Sequence, residues 1–313
     1  MEEKILRLES GSYTLEICAH METQTASVLA YEGGGSRLFI PDAVTVGEKR
    51  YPVTAIEKKA FLSNKGLREV SLPVTVTHIG DWAFAQCENL LYFVIRGQEG
   101  STPAGIAQEL CFGRGVFDSC HRMENICLGY EEKEDLSALL AAIIYRMPAE
   151  YLLKDKDLGT CAWYAKWDQC LSTFLNEPDE DGYTDLVLCG EEDIFYNEPD
   201  FAMNKRRKKA ALCLLRMRYD KSITEEMKSK FCAYLLSHTK GCPTEEAWEV
   251  LLSEFGEMVE YYKLFARLGG IHQDNIDDML TDMGERFAEA KAFLLNYKQE
   301  NFGGGDFFSQ FQL

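Results

Sequence analysis

Between Tyr51 and Leu128 one apolar pattern is written almost three times, and this repetition restricts the fold more than any other feature. The first copy reads Ile56, Ala60-Phe61, Leu67, Val70, Leu72-Pro73. The second reads Ile79-Gly80, Ala83-Phe84, Leu90, Phe93, Ile95. Matched residues lie 23 positions apart. A fixed period of this size marks a solenoid, in which one unit cannot bury its apolar face alone and its neighbours complete the core. A third copy reads Phe112-Gly113, Val116-Phe117, Cys120, Met123, Ile126, Leu128. Its offset from the second is 33, so ten residues are inserted, and the glycine- and proline-bearing stretch from Arg96 to Gly105 receives them. Such a loop either emerges on a functional face or is a tolerated surface insertion.

Within each unit, Val70-Ser71-Leu72 and Phe93-Val94-Ile95 alternate as short strands do, with one face buried. A second extended piece ends at Ile56 or Ile79, and a short helical turn is expected around Ala60-Phe61 and Ala83-Phe84. The residues between the buried ones should face outward. They are Glu69, Ser71, Tyr92, Val94, Asn125 and Cys127, and they form the candidate interaction surface, with Tyr92 as an aromatic anchor. Cys87 and Cys120 share one repeat position, where the first copy has Asn64. They read as small buried groups filling a tight turn, in preference to a redox or metal pair.

Tyr51-Pro52-Val53-Thr54-Ala55-Ile56, followed by Ile79-Gly80-x-x-Ala83-Phe84-x-x-Cys87-x-x-Leu90, resembles the BspA-type leucine-rich repeat family. The resemblance implies a bacterial source and an interaction role. Many such repeats act on bacterial cell surfaces, and the resemblance carries over no catalytic residue. This array is short, and Met1 to Leu8 alternates charged and apolar residues without the apolar run of a signal peptide. A cytoplasmic protein is therefore expected.

Ahead of the repeats, Tyr13, Leu15 and Ile17 alternate with polar residues, and Ala26, Leu29 and Tyr31 follow. Leu38-Phe39-Ile40-Pro41 matches Val70-Ser71-Leu72-Pro73, so the first fifty residues carry the repeat's strand without the rest of the unit. They are read as a β cap closing the open end of the stack. Behind the repeats, Leu136, Leu139, Leu140 and Ile143 recur at helical spacing, as do Trp163, Trp167, Leu171 and Phe174. Leu251 to Glu257 aligns with Met279 to Glu285 at an offset of 28. Helix, Gly-Glu turn, helix is the pattern of stacked helical hairpins. It is weakly similar to degenerate ankyrin-type repeats, without their Thr-Pro-Leu-His signature.

The net charge of −18 makes nucleic acid and anionic membrane poor partners. No stretch approaches the ~18 apolar residues of a membrane span. Eleven cysteines at irregular spacing do not form a disulfide framework. Glu177 to Asp200 holds ten acidic residues and no Lys or Arg, but its glycine is misplaced for a calcium loop. The basic run Lys205–Lys209 is read as solvated or paired with that segment. Cys111, Cys120, His121 and Cys127 share one repeat, where they either surround a site or merely share a core. In the tail, Phe307, Phe308 and Phe311 follow a glycine hinge and dock on the chain's own surface or on another molecule; they join the candidate surface. No catalytic, cofactor or metal set is assigned.

The expectation is an α+β chain. Residues 1–130 form the β cap and a short leucine-rich-repeat solenoid, and residues 131–313 form an all-α, ankyrin-like or other helical-repeat domain. Its expected role is non-enzymatic binding or scaffolding with a protein partner. The alternatives are a surface or secreted adhesin-like protein, and an enzyme with an unrecognised site among the helices.

Overall fold

Three hydrogen-bonded ladders run through the repeat region, and two of them sit at the offsets of the sequence repeat. In the computed structural model, residues 3–97, 110–128, 134–147, 149–184 and 197–303 are described. The insertion after Gly97 and the tail with Phe307, Phe308 and Phe311 lie outside them. The chain divides into two units, Met1–Trp167 and Asp168–Leu313.

Among the described residues, the first unit holds eleven strands: β1 (Glu3–Ser10), β2 (Tyr13–His20), β3 (Thr25–Gly33), β4 (Arg37–Phe39), β5 (Ala43–Val46), β6 (Lys49–Ile56), β7 (Glu69–Pro73), β8 (His78–Ile79), β9 (Tyr92–Arg96), β10 (Cys111–Phe112) and β11 (Asn125–Leu128). They form two sheets. One has the order β1-β2-β3-β6-β8-β10 with β5 on β6; the other has the order β11-β9-β7-β4. In the second sheet all neighbours are parallel. Val70 pairs with Phe93, and Phe93 with Ile126, at the spacing of the repeat. Ile56, Ile79 and Phe112 align in the same way in the first sheet. Leu38 pairs with Val70, so the cap supplies the first rung. The antiparallel β1, β2 and β3 close that end.

The third ladder corrects one expectation. No helix forms around Ala60-Phe61 or Ala83-Phe84. The chain instead makes successive tight turns, with Lys59, Ser63, Trp82 and Gln86 in the left-handed region at φ 61°, 60°, 53° and 59°. Gly115 and Ser119 repeat the pattern in the third copy. The reason lies in the N–H groups. Those of Ala60, Leu62 and Asn64 bond back within their own rung to Glu57, Lys59 and Phe61. Those of Lys59, Phe61 and Ser63 bond outward to the carbonyls of Asp81, Ala83 and Ala85 on the next rung, at 3.0, 2.8 and 2.8 Å. Trp82, Phe84 and Gln86 do the same towards Arg114, Val116 and Asp118. A helix would spend its N–H groups internally and leave none for the neighbour. Each left-handed non-glycine residue costs about 1 kcal/mol or more, which the outward bonds offset. Gly80 marks a close backbone approach between rungs. A Cβ there would lie 2.5 Å from the Lys58 nitrogen.

Inside the rungs, Phe61, Phe84 and Phe117 stack. Phe61 and Phe84 are 4.8 Å apart and 2° from parallel; Phe84 and Phe117 are 6.0 Å and 17°. Tyr31 extends the column into the cap, and Phe93 meets Phe84 and Phe117 edge-on. Cys87 and Cys120 are buried, and each thiol donates to a carbonyl one rung away, Phe61 and Phe84 respectively, at 3.2 Å. Burial pushes the Cys87 thiol up to about 11 and raises that of Cys120 as well. The helix α1 (Glu134–Tyr145) packs on β11, with Leu139, Leu140 and Ile143 fully buried. A 3-10 turn, Glu150–Lys154, adjoins α1 and β10. These elements, read from the sequence as the opening of the helical domain, lie within the first unit.

The helix α2 (Cys161–Asn176) spans the division between the units. The second unit continues with α3 (Glu198–Arg218), α4 (Glu225–Ser237), α5 (Glu246–Glu254), α6 (Val259–Arg267), α7 (Ile276–Met283) and α8 (Ala288–Phe302). The long α3 is its centre. Asn197 caps it by accepting from the Asp200 N–H. Arg216, fully buried, bonds both carboxylate oxygens of Asp168 at 2.5 and 3.1 Å. The basic run of α3 is consumed within the unit. Lys205 reaches the Pro178 and Asp181 carbonyls, Arg206 and Arg207 pair with Glu246 and Glu249, and Lys209 pairs with Asp179 at 2.7 Å. The pairs α5/α6 and α7/α8 follow the 28-residue sequence repeat, with Gly256 and Gly284 in their turns. Among the described residues, no helix is long and apolar enough to cross a membrane.

Removing the central ring of the column, Phe84→Ala, leaves a cavity between two rungs and should cost about 3–5 kcal/mol, read by chemical denaturation of the full chain. The Cys87 thiol stays neutral in the fold to about pH 11, whereas an unfolded cysteine ionises near ~8.5. Its contribution to stability is therefore full below ~8.5 and declines as pH rises towards 11. Alkylation at pH 8 should modify exposed Cys111 and spare Cys87 until the chain unfolds, as read by peptide mass spectrometry.

Candidate functional site: the outer face of the four-stranded sheet

Strand alternation sends Leu38, Val70, Leu72, Phe93, Ile95 and Ile126 inward. The residues between them fall into rows because the strands are parallel and in register. One row is Arg37, Glu69, Tyr92, Asn125; the next is Phe39, Ser71, Val94, Cys127. Arg96 stands beyond them, opposite Pro73. Phe39 and Tyr92 are 56% and 39% exposed, large values for aromatic rings on a packed sheet.

Arg96 ties the face together. Its guanidinium lies 3.9 Å from the centre of the Phe39 ring. One nitrogen donates to the carbonyl and hydroxyl of Ser71 at 3.0 and 3.1 Å; the other donates to the Ile40 carbonyl and the Asp42 carboxylate, both at 2.7 Å. It thus spans from β9 across β7 to β4 and holds one face of the Phe39 ring. Arg37 pairs with Glu69 at 3.2 Å. The Tyr92 hydroxyl donates to Glu124 at 3.0 Å, and that carboxylate raises the phenol above its ordinary range.

The structure places Glu69, Ser71, Val94 and Asn125 half-buried on this face and Tyr92 exposed. Cys127 departs from the expectation. It is buried, 6% exposed, on the strand that α1 packs against. The usable face therefore runs from β4 to β9. Cys111, Cys120, His121 and Cys127 do not gather into a site. Cys111 and His121 are exposed, while Cys120 and Cys127 are buried in the stack. Sequence reasoning missed Phe39, Arg37 and Arg96. Phe39 was within reach, because aligning Leu38-Phe39-Ile40 with Val70-Ser71-Leu72 puts it in the place of Ser71. Arg96 gave no such signal, since its partners lie 25 and more residues away. The face offers a braced aromatic, a buttressed guanidinium and carboxylates, which are contacts suited to a polypeptide surface. Elsewhere in the first unit, Glu3, Cys18 and His20 converge as metal-type ligands.

Residues 48–131 match the family described as "BspA type Leucine rich repeat region (6 copies)". A leucine-rich repeat protein from Bacteroides capillosus is 31% identical over 29% of this chain and 70% of its own, with a TM-score of 0.24. A leucine rich cell surface protein from Faecalibacterium prausnitzii is 22% identical over 40% of this chain and 43% of its own, with a TM-score of 0.26. A T. pallidum leucine rich repeat protein is 23% identical over 38% and 58%, with a TM-score of 0.27. No curated protein matches the chain. Through the rungs of residues 48–131, the chain belongs to the BspA-type leucine-rich repeat family.

Proposed function

We propose that the repeat region is a short solenoid acting as a non-enzymatic protein-binding module, and that the partner docks on the outer face of the β4–β9 strands. The observation that supports this most is the bracing of Phe39 by Arg96 beside exposed Tyr92. Aromatic and arginine side chains dominate binding hot spots. A side chain already held in place loses little freedom on association. In the same reading, α5/α6 and α7/α8 are helix-turn-helix units of an ankyrin-like kind, serving as a second scaffold surface. The net charge of −18 argues against nucleic acid and anionic membrane as partners.

Within this reading we place the protein in the cytoplasm. Cys18, Cys87, Cys111, Cys120, Cys213, Cys232 and Cys242 are free thiols, which suits a reducing compartment. The adhesin-like alternative would use the same face and differ in location; recovery of the native protein from the cell surface with bridged cysteines would favour it.

The double substitution Phe39→Ala/Tyr92→Ala should abolish retention of the partner in a quantitative affinity capture from the native host. With the captured protein in hand, it should weaken binding by about 2 kcal/mol or more. Unchanged binding by a variant of normal thermal stability contradicts the assignment of the face.

A further inference from the structure

Strand register assembles a second site on the seven-stranded sheet. Glu3 on β1 lies directly opposite His20 on β2, so both side chains stand on one face. Cys18 is two residues before His20 and shares that face by alternation. Their ligand atoms all lie within 4.8 Å of one another. His20 Nδ1 is 3.3 Å from a Glu3 carboxylate oxygen and 3.8 Å from the Cys18 sulfur. From the opposite side of the ring, Nε2 lies 3.0 Å from the hydroxyl of Ser27, which is 2% exposed.

Two readings of such a trio compete. A nucleophile relay needs the thiol on one ring nitrogen and the carboxylate on the other, so that the base is oriented while it accepts a proton. Here thiol and carboxylate both approach Nδ1, and Nε2 is engaged by Ser27, so the relay geometry is absent. A metal site needs the three ligand atoms around one common point. Tetrahedral zinc, with bonds of about 2.0–2.1 Å to nitrogen and oxygen and about 2.3 Å to sulfur, places nitrogen and oxygen ligands about 3.3 Å apart and nitrogen and sulfur about 3.6 Å apart. The observed 3.3 and 3.8 Å lie close to these two values, and the third pair, carboxylate oxygen to sulfur, falls within 4.8 Å. A histidine ligand ordinarily bonds an outer partner through its second nitrogen, and Ser27 fills that role.

We infer that Glu3, Cys18 and His20 form a divalent-metal site for a borderline-soft ion of the zinc class. The thiol and imidazole disfavour magnesium and calcium, which take oxygen ligands. Three protein ligands leave the fourth position open. His20 and Glu3 stand at the wall of a cavity of about 270 Å³ that Thr25, Thr54 and Glu57 also line, which leaves room for a water or an incoming donor group. Sequence motifs did not disclose the site, because Cys18-x-His20 is a strand spacing and its third ligand comes from the neighbouring strand.

The test uses the full chain, stripped with a chelator, and cobalt(II) as the probe. One equivalent should bind with a thiolate-to-cobalt charge-transfer absorption, and zinc should displace it. Cys18→Ser should abolish the absorption, and Cys111→Ser should leave it intact. Ser27→Ala should weaken affinity about tenfold. Glu3→Gln, on a half-exposed side chain of the edge strand β1, should weaken it at least as much, and covers the case in which Cys18→Ser fails to fold. Saturation without the charge-transfer band, a band that survives Cys18→Ser, or unchanged affinity in Glu3→Gln would overturn the assignment.

Discussion

The structure depends on backbone groups that a single rung cannot satisfy. In the turn segments of the first two rungs, every second N–H points away from its own rung and finds a carbonyl on the next. A buried N–H left without an acceptor costs on the order of 1–3 kcal/mol, so adjacent rungs must keep a fixed distance and register. Side chains follow from that constraint. Because equivalent residues are superposed, like stacks on like. The Phe61, Phe84 and Phe117 rings form one column, and the Cys87 and Cys120 thiols repeat one hydrogen bond. The stack must also be closed. The antiparallel cap does so at one end by supplying β4 as a first rung, and α1 does so at the other by covering β11.

The same register arranges both surfaces assigned here. On the four-stranded sheet it lines up Phe39, Ser71 and Val94, so that an arginine from one rung can reach the carbonyls of two others. On the seven-stranded sheet the antiparallel pairing of β1 with β2 sets Glu3 opposite His20. Neither cluster is a sequence motif. Each exists because strands bring together, at a fixed lateral spacing of ~4.8 Å, residues that are far apart in the chain. The helical unit is built differently. A buried Arg216–Asp168 pair and the basic run of α3 draw loops and helices onto one central helix, and the cationic residues of that run end as internal partners.

How much of this was legible beforehand follows from the range of each interaction. The 23-residue period gave the rungs, their strands and the pairing of Val70 with Phe93, because apolar burial and register are both periodic in the chain. The cap was legible through Leu38-Phe39-Ile40-Pro41. The turns read as helical in the sequence. The apolar pair Ala60-Phe61 fits either conformation, and the deciding factor, an acceptor on the neighbouring rung, is not local. Strand alternation places Cys127 outward, and it cannot see that α1 packs on its strand. Arg96 and the Glu3–Cys18–His20 cluster escaped because their meaning arises only once the strands are paired.

Native-state hydrogen exchange on the full chain tests the inter-rung ladder most directly. The account predicts that the amides of Phe61, Ser63, Phe84 and Gln86 are protected together with strand amides such as Val70 and Phe93, and open with them as one cooperative unit. Exchange of the turn amides at the rate of open loops, while the strand amides stay protected, would contradict it.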